Sequence, residues 1–415
     1  MRSSIARALA VLTLAFVAWA PMSRAEGECP VPDVAASLDV PGLLPLLEQG
    51  TVVLIHPKGP GEAQFLTGVV LVDAPPEKVW EVATDYAFYG GFVPNVHAVT
   101  PQREVGPGAR VYRYELTFNV LWPLKFSTRY DLLQTFDAPR SICGVPDPAG
   151  KSDFTDVRFR TDLLPVGADR TAMVYTTFAD LKSFSTLGRL VFNSFPEFQT
   201  PMLVAVATLY PEAIKSRIEH RALIDGLWNM KGPAPEIPTV LTPAVKPALR
   251  ALLDGYRVVV SHYPVATGQR FVSAITRVPA DADAVAAVVG DYDHYPEFVK
   301  FMSEAEKFDD HGDTWQVRYE TEVDLIFKIG MESTLRYRRV GPREAVWALN
   351  PDEDHDPAAD WGRVAVEPED GKGALLAYTQ FLDIGSGSFL IRALTGKIQG
   401  FQPGMRIVMA DLWVR

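Results

Sequence analysis

The stretch "TDYAFYGGFVPNV" (Thr84–Val96) returns 206 positions later in the chain as "GDYDHYPEFVKFM" (Gly290–Met302). The two segments share Asp, Tyr, Tyr, Phe and Val at the same places. An aromatic segment that repeats at a fixed distance indicates two copies of one structural unit, and such self-similarity decides the architecture before any single motif does. A chain of 415 residues is long enough for two domains with separate cores.

The repeat extends beyond the aromatic segment. Leu46–Val93 matches Leu252–Val299 without a gap, with identical residues scattered along its whole length. With small shifts in the offset, two further pairs of segments align: Arg113–Trp122 with Arg318–Phe327, and Tyr175–Asp180 with Tyr378–Asp383. The shifts are those of short loop deletions, so the two copies have the same order of elements.

The chain divides into five parts on this basis. Residues 1–25 read as a cleavable signal peptide, because Arg2 and Arg7 precede the apolar run "ALAVLTLAFVAWA" and small residues precede Glu26. An N-terminal arm (26–42) leads to the first domain (43–230). A proline-rich linker (231–247), whose prolines forbid a continuous helix, leads to the second domain (248–415). We therefore expect a periplasmic or secreted protein.

Each copy follows the same pattern of elements. Two β-rich runs lead to a helix at "PPEKVWEVATDY", where Asp73 can cap the N-terminus and Val79, Val82, Ala83 and Tyr86 share one face. After the aromatic segment, apolar and polar residues alternate strictly from Arg113 to Trp122, which is typical of a half-buried antiparallel strand. More strands and a long apolar helix follow. The sequence predicts an α+β fold in which a curved antiparallel sheet wraps around a long C-terminal helix.

Composition limits the possible partners. The net charge of -11 and the lack of a Lys/Arg cluster argue against nucleic acid. After the N-terminus, no apolar run reaches the ~18 residues of a membrane span. The two cysteines, Cys29 and Cys143, either form one disulfide in an oxidising compartment or remain two free thiols.

Two segments resemble a known family. "VDAPPEKVWEVATDYAFYGGFVPNV" (Val72–Val96) and "VPADADAVAAVVGDYDHYPEFVKFM" (Val278–Met302) are similar to the opening of START-like domains, in the branch of coenzyme Q-binding and polyketide cyclase-like proteins. The second copy departs from the pattern at Ala286 and Lys300, where the first has Trp80 and Pro94. The resemblance implies two tandem helix-grip domains, each enclosing a hydrophobic cavity that holds lipids, sterols, quinones or polyketide intermediates in family members.

The candidate ligand-binding residues come from the aromatic turn, the dry face of the strands and methionines near the last helix. Each has an alternative interpretation as ordinary core packing, since regularly spaced aromatic residues usually pack. The candidates are Tyr89, Phe92, Tyr114, Phe118, Trp122 and Met202 in the first copy, and Tyr295, Phe298, Tyr319, Thr321, Val323, Leu325, Phe327, Met331, Phe381 and Met405 in the second.

No catalytic, metal or cofactor motif stands out. His56 and His262 are equivalent, but neither belongs to a sequence pattern with Ser, Cys or Asp, so we expect structural or surface roles. The acidic run "NPDEDHDPAADWG" (Asn350–Gly362) lacks the ligand spacing of a calcium loop and is better interpreted as a solvated loop. We expect no cofactor.

Three functions remain open at this stage. The favoured one is an exported, non-catalytic carrier for a hydrophobic small molecule or lipid, with transient membrane contact as a further expectation and nucleic acid excluded. The second is a cyclase or aromatase-like enzyme, for which Tyr114, Arg129, Tyr319 and Arg336 are the candidate polar groups. The third is a protein-interaction module, which an exposed apolar groove would mark.

Overall fold

The computed structural model describes residues 29–59, 62–121, 124–183, 199–221, 235–266, 268–324, 328–371 and 373–383, together with Arg189 and Asn193. The described residues from Val31 onward form one compact unit. The predicted signal peptide and the predicted final helix near Phe401 lie outside the described residues. Both Cys29 and Cys143 are disulfide-bonded, so neither is a free thiol.

The fold is α+β, as predicted. The strands of the first copy are β1 (Gly50–Ile55), β2 (Leu66–Val72), β3 (Val96–Gly106), β4 (Ala109–Leu121), β5 (Leu124–Asp137), β6 (Ser141–Pro146), β7 (Val157–Val166) and β8 (Arg170–Ala179). The strands of the second copy are β9 (Arg257–His262), β10 (Val272–Val278), β11 (Met302–Phe308), β12 (Thr314–Asp324), β13 (Lys328–Gly341), β14 (Glu344–Leu349), β15 (Ala359–Glu369) and β16 (Gly373–Asp383).

The described helices are fewer than the strands. They are α1 (Val40–Leu47), α2 (Pro76–Thr84), α3 (Gln199–Glu219), α4 (Lys246–Leu253), α5 (Ala282–Val289) and α6 (Tyr295–Phe298), with 3-10 turns at Ala35–Ser37, Tyr86–Gly91 and Tyr292–His294. None of the described helices is long and apolar enough to cross a membrane.

All sixteen strands form one antiparallel sheet, in the order β11-β12-β13-β14-β15-β16-β10-β9-β1-β2-β8-β7-β6-β5-β4-β3. The copies meet where β1 pairs with β9, and Val53 lies opposite Val259, its own counterpart in the repeat. This junction is therefore locally symmetric. The sheet continues across the two copies, which the sequence did not predict.

The central part of one face of the sheet is covered by α1 and α4. Val52 and Leu54 of β1 pack there with Val258 and Val260 of β9. Val240 and Leu241 of the predicted linker are buried in the same cluster, so this part of the connector is packed rather than free. Burial on both faces explains why β1 reads as a continuous apolar run instead of an alternating one.

The long helix α3 lies on the other face of the sheet. A side chain at Gly68 of β2 would place its Cβ 1.9 Å from the carbonyl oxygen of Ala207, so glycine is what allows α3 to lie directly on the strand. Val204 and Ala207 of α3 are fully buried. In the first copy the sheet therefore grips the helix predicted to close that copy.

The start of α2 differs from the sequence-based expectation. Pro75, not Asp73, occupies the N-cap position, and no side chain caps the helix. The backbone N–H of Asp73 instead donates to the Glu219 carboxylate at the end of α3, over 3.0 Å. The predicted buried face is right at Val79 and Ala83, which are completely buried, and at Tyr86.

Candidate functional site

The aromatic turn follows α2 in the first copy and α5 in the second, and it closes the end of each helix in the same way. The Tyr89 hydroxyl donates to the carbonyl oxygen of Ala83. The Tyr295 hydroxyl makes the equivalent bond to Val289. Carbonyl groups in the last turn of a helix have no partner within the helix, so each tyrosine satisfies one of them. Both rings are buried, and their repetition has a structural cause.

Of the remaining aromatic residues of the turn, some are buried in the core and others lie at its exposed edge. Tyr86 packs edge-on against Tyr89 with ring centroids 5.0 Å apart, and Tyr292 packs against Tyr295 at 5.2 Å. Phe298 is 57% exposed, although its ring lies 5.5 Å from that of Tyr295. The turn thus has a buried tyrosine pair in both copies and a phenylalanine near its rim.

The dry face of the strands carries tyrosines that interact with polar groups. Tyr114 of β4 stacks on Tyr130 at 5.2 Å and accepts a hydrogen bond from the Gln134 amide over 2.6 Å. In the second copy, the hydroxyls of Tyr319 and Tyr337 are 2.8 Å apart. Tyr114 and Tyr319 are buried and point into the interior, as the alternation of the strands predicts.

Burial sets the protonation state of these phenols. Desolvation raises the pKa of Tyr210, on α3, to about 12. It also raises the pKa of the interior tyrosines well above the usual range, because the charged phenolate would lose its hydration. The tyrosines affected in this way include Tyr89, Tyr114, Tyr319, Tyr337 and Tyr378. At neutral pH they are uncharged and do not act as bases.

A cavity of about 490 Å³ lies between the aromatic turn of the first copy and the last turns of α3. Phe92, Val93, Pro94 and Ala213 form an apolar part of its wall. The polar part comes from the end of α3, and Gly90 and Gly91 complete the lining. The lining polar residues of the helix end are Ser216, Arg217, His220 and Arg221. This volume is within the range of ligand pockets.

The second copy has a smaller cavity, of about 20 Å³, lined almost entirely by rings and aliphatic groups. That space is comparable to one water molecule. The residues that line it are Val289, Tyr292, Tyr295, Tyr337, Trp347, Val364, Leu376 and Tyr378. Tyr295 is the only one of these among the predicted ligand-binding residues.

One pair of neighbouring strands, β6 and β7 in the first copy and β14 and β15 in the second, has an aromatic ring packed over a glycine. The ring comes from the later strand in the first copy and from the earlier strand in the second. In the first, Gly144 of β6 lies opposite Phe159 of β7, and a Cβ at Gly144 would meet the Phe159 ring at 2.2 Å. In the second, Trp347 of β14 lies opposite Gly362 of β15, whose Cβ would meet the indole at 1.9 Å. The glycine and the ring have exchanged strands.

The other predicted site residues have varied positions. Met202, Thr321 and Met331 are half-buried, and the Thr321 hydroxyl donates to the Met331 carbonyl over 3.3 Å. The strand positions of Phe118 and Val323 are described, but their side chains are not. Trp122, Leu325, Phe327 and Met405 lie outside the described residues.

Phe381 requires a correction. It packs with Phe271 and Trp361 in a cluster separate from the one that contains Tyr378. Successive side chains of a strand point to opposite faces, so residues three apart in β16 cannot both face the cavity. The structure therefore places Phe381 on the face away from the aromatic cavity.

Sequence analysis missed two groups of residues. The first is the polar end of α3, whose only signal was the basic pair Arg217 and Arg221 in a helix tail that continues beyond the apolar run. The second is the set of hydroxyl partners of the two histidines. These partners come from other strands, so no local motif reveals them.

The histidine contacts are equivalent in the two copies. His56 Nε2 lies 2.8 Å from the Thr67 hydroxyl, which is 2.9 Å from that of Thr176. His262 Nε2 lies 2.6 Å from the Ser273 hydroxyl, which is 2.7 Å from that of Thr379. Burial lowers the pKa of His56 to about 4, and burial together with Arg270 lowers the pKa of His262 to about 3. Both groups hold strands together as neutral rings.

No site for a metal ion appears in the described part of the chain, where no group of three or more His, Cys, Asp or Glu side chains is arranged to bind one. The acidic loop around His355 is included in that statement. The His355 ring lies 2.8 Å from the carbonyl oxygen of Pro357.

No protein-family model matches the chain, and no curated protein matches it either. Among solved structures, the di-domain ARO/CYC protein StfQ from the steffimycin biosynthetic pathway is 11% identical, with 84% of this chain and 94% of that chain covered and a TM-score of 0.29. The Zhui aromatase/cyclase from Streptomyces sp. R1128 is 22% identical over 38% of this chain and 95% of that chain, with a TM-score of 0.31. Human STARD10 is 16% identical over 41% and 71%, also with a TM-score of 0.31.

These identities and TM-scores carry no argument about function. The fold assignment depends instead on features of the chain itself: the repeated strand order, the helix that precedes each aromatic turn, and the long helix gripped by the sheet of the first copy. By these features, the chain has two tandem copies of one α+β unit, and the described elements of the first copy have a helix-grip arrangement.

Proposed function

We propose that the protein is an exported, non-catalytic binding protein or carrier for a hydrophobic small molecule or lipid, of a sterol-, quinone- or acyl-lipid-like kind. The observation that carries this proposal is the cavity of about 490 Å³ between the aromatic turn of the first copy and α3. Such a ligand would be held there, between the turn and the end of the long helix that the sheet grips.

The cavity adjoins the core of the first copy. Val93 and Ala213 line it and also belong to the buried cluster that contains Tyr86 and Tyr89. An apolar group that enters past Phe92 would therefore meet apolar side chains. Burial of apolar surface is the main source of affinity for such ligands.

Exposed apolar residues near both turns support transient membrane contact as part of the proposal. Phe88 is 61% exposed in the first turn, and Phe298 is similarly exposed in the second. Val288, at the end of α5, is 56% exposed. Large apolar side chains near a cavity entrance suit a protein that collects its ligand from a lipid surface.

Two observations weigh against the cyclase alternative. Arg129 and Arg336 lie on the wet side of their strands, where they pair with Glu115 and Asp352 and are largely exposed. Burial raises the pKa of Tyr114 and Tyr319, so at neutral pH these residues offer no phenolate that could abstract a proton. The proposed carrier requires neither a base nor a nucleophile.

Native mass spectrometry of the gently purified full chain tests the binding proposal. We expect a co-purifying ligand, and we expect Ser216→Phe, which places a ring in the cavity, to reduce the recovered ligand about tenfold or more. Val206→Phe on the same helix is the matched control, because Val206 is exposed and does not line the cavity. It should retain the ligand, and Tm should change by only about 2 °C in either variant.

If the Ser216→Phe variant yields as much ligand as the parent protein, the binding site lies elsewhere. A chain that carries no ligand, and that takes up none from vesicles of mixed lipids, would contradict the carrier. Export is tested separately by N-terminal sequencing of the protein from the periplasm or medium. We expect the mature chain to begin at Glu26.

A further inference from the structure

We propose that the cavity of the first copy binds an amphiphile with an anionic head group, and that Arg217 is the principal partner of that head group. This inference rests on the proposed function and names the class of ligand. The relevant chemistry is a carboxylate or phosphate head attached to an apolar chain.

The cavity has an apolar side and a cationic side. Phe92, Val93, Pro94 and Ala213 provide the apolar side. Ser216, Arg217, His220 and Arg221 all come from the last turn of α3 and the residues after it. The protein has a net charge of -11, so this local group of basic side chains stands out from the rest of the molecule and favours binding of an anion.

Arg217 differs from the other cations at this helix end. Its guanidinium lies over the Phe92 ring, 5.9 Å from the centroid, and no carboxylate of the described residues forms a salt bridge with it. Arg221 lies 3.1 Å from a Glu219 oxygen and 4.0 Å from an Asp73 oxygen. The contact with Phe92 holds the Arg217 guanidinium near the apolar wall of the cavity, while its N–H groups can still donate to a ligand.

The local charge balance agrees with this assignment. Lys215 is buried, and its ammonium donates to Glu219 and to the Leu71 carbonyl. Lys215 and Arg221 together offset the carboxylates of Glu219 and Asp73. Among the described residues at this helix end, the charge of Arg217 is thus left unbalanced, and an anionic head group beside it would restore the balance.

The end of the helix is held in a defined shape. His220 has a left-handed backbone with φ 53°, and the backbone N–H of Arg221 donates to the Ser216 carbonyl over 3.1 Å. This is the Schellman type of helix ending, which satisfies a carbonyl that would otherwise repel an anion. Ser216 also lines the cavity, so its hydroxyl is a second candidate donor to the head group.

Binding of two probes with the same ten-carbon chain tests the inference. Titrations of the delipidated full chain at pH 7.5 would compare decanoate with decanol, and acetate would serve as the free anion. We expect decanoate to bind about tenfold or more tightly than decanol, since a charge-assisted hydrogen bond adds to the same apolar contact. Acetate should not displace decanoate at similar concentrations.

Arg217→Gln should remove most of the preference for decanoate and leave decanol binding within about twofold. Arg140→Gln is the matched control, because Arg140 is an arginine of the same copy with a side chain that is 76% exposed and far from the cavity lining. It should leave both affinities unchanged.

The possible failures are distinguishable. Equal binding of decanoate and decanol to the parent protein, or a preference that Arg217→Gln does not alter, would overturn the anionic head group while the carrier stands. Acetate that displaces decanoate at equal concentration would mean a site for free small anions. Failure of both ten-carbon probes to bind would overturn the apolar cavity as a ligand site, and the inference with it.

Discussion

The histidine after β1 and the histidine that ends β9 occupy the same place in the two copies and make the same contacts. Each ring nitrogen reaches a hydroxyl on the next strand, which reaches a threonine on the strand beyond. The turn tyrosines Tyr89 and Tyr295 likewise bind equivalent carbonyls. These shared contacts are buried or partly buried, and they stabilise strands or close helices.

The described parts of the two copies differ in the cavities that they line. The first has the larger described cavity and a cationic helix end, whereas the second has a small cavity lined by rings, including Trp347. Arg270 of the second copy also forms a buried ion pair with Glu212 of α3, and its counterpart in the first copy is the uncharged Gln64. The comparison teaches that the repeated contacts maintain the fold, whereas the differences lie in the cavity linings and in a buried ion pair.

The buried ion pair should give the largest effect on stability. Arg270 donates from Nη1 to a Glu212 oxygen over 2.7 Å, and Glu212 also accepts from the Thr51 hydroxyl. Arg270→Met leaves the carboxylate buried without its cation, so we expect a loss of about 3–5 kcal/mol in the free energy of unfolding. Urea denaturation measures it.

Two variants sharpen this result. Glu212→Gln combined with Arg270→Met should recover part of the stability, because no charge then remains buried. Gln64→Met removes two neutral hydrogen bonds, one accepted from Thr200 and one donated to the His56 carbonyl, and should cost about 1–2 kcal/mol. Equal losses at Arg270 and Gln64 would break the claimed asymmetry between the copies.

The histidines should make both copies sensitive to acid in the same direction. The unfolded rings take up a proton near pH 6.5, while the folded rings resist until about pH 4 for His56 and about pH 3 for His262. The unfolded state therefore binds more protons in this window, and stability falls as pH decreases from 6.5 toward 4. The loss is on the order of 3 kcal/mol for each ring.

Denaturation at several pH values checks this expectation. His262→Gln should reduce the dependence of stability on pH between 4 and 6.5, and His56→Gln should do so to a similar or smaller degree. His97→Gln, at an exposed position of β3, is the control and should retain the parental slope. A slope that the two buried variants do not change would mean that other groups cause the acid sensitivity.

Substitution of the two glycines that lie under aromatic rings should cause similar losses of stability, of intermediate size. Gly362→Ala forces a Cβ against the Trp347 indole, and Gly144→Ala forces one against the Phe159 ring, so each should cost about 1–3 kcal/mol. Gly330→Ala in β13 is the control, since the nearest atom to its Cβ would be 3.9 Å away. Trp347→Phe should partly rescue Gly362→Ala. Full tolerance at both positions would show that the rings move aside.

The smallest loss of stability should come from replacing either of two equivalent arginines on the solvent-facing side of the sheet, Arg113 in the first copy and Arg318 in the second. Arg113 forms a two-point contact with Asp131, at 2.8 and 2.9 Å, which lowers the pKa of that carboxyl. Arg318 lies 3.3 Å from Glu306 in a more exposed setting. We expect Arg113→Ala to cost about 1 kcal/mol and Arg318→Ala less than about 0.5 kcal/mol, measured by denaturation. The reverse order would contradict this account.

The sequence predicted the repeat, the strand pattern and the helix before the turn because each has a local periodic signal. The junction of β1 with β9 was missed, since pairing between distant strands has no local motif. Its one signal was that "TVVLI" (Thr51–Ile55) and "VVV" (Val258–Val260) do not alternate, which indicates burial on both faces.

The candidate site was harder to predict than the fold. Tyr89 and Phe92 were correctly located at the turn, but whether a ring packs or lines a cavity depends on side-chain packing that sequence does not determine. Arg217 was missed because an arginine at a helix end usually faces solvent. Phe381 was misplaced because the alternation of β16 was not applied from Tyr378 onward.

The local symmetry at Val53 and Val259 has a consequence for each copy taken alone. A strand at the edge of a sheet offers unpaired backbone groups and invites another strand. Separated from its twin, either half would expose the edge that now forms the junction, and a second molecule of the same half could pair there with two-fold symmetry. The junction between the copies therefore resembles the interface of a symmetric homodimer, here within one chain. Each copy covers the exposed strand edge of the other, while the rest of each copy can differ in sequence.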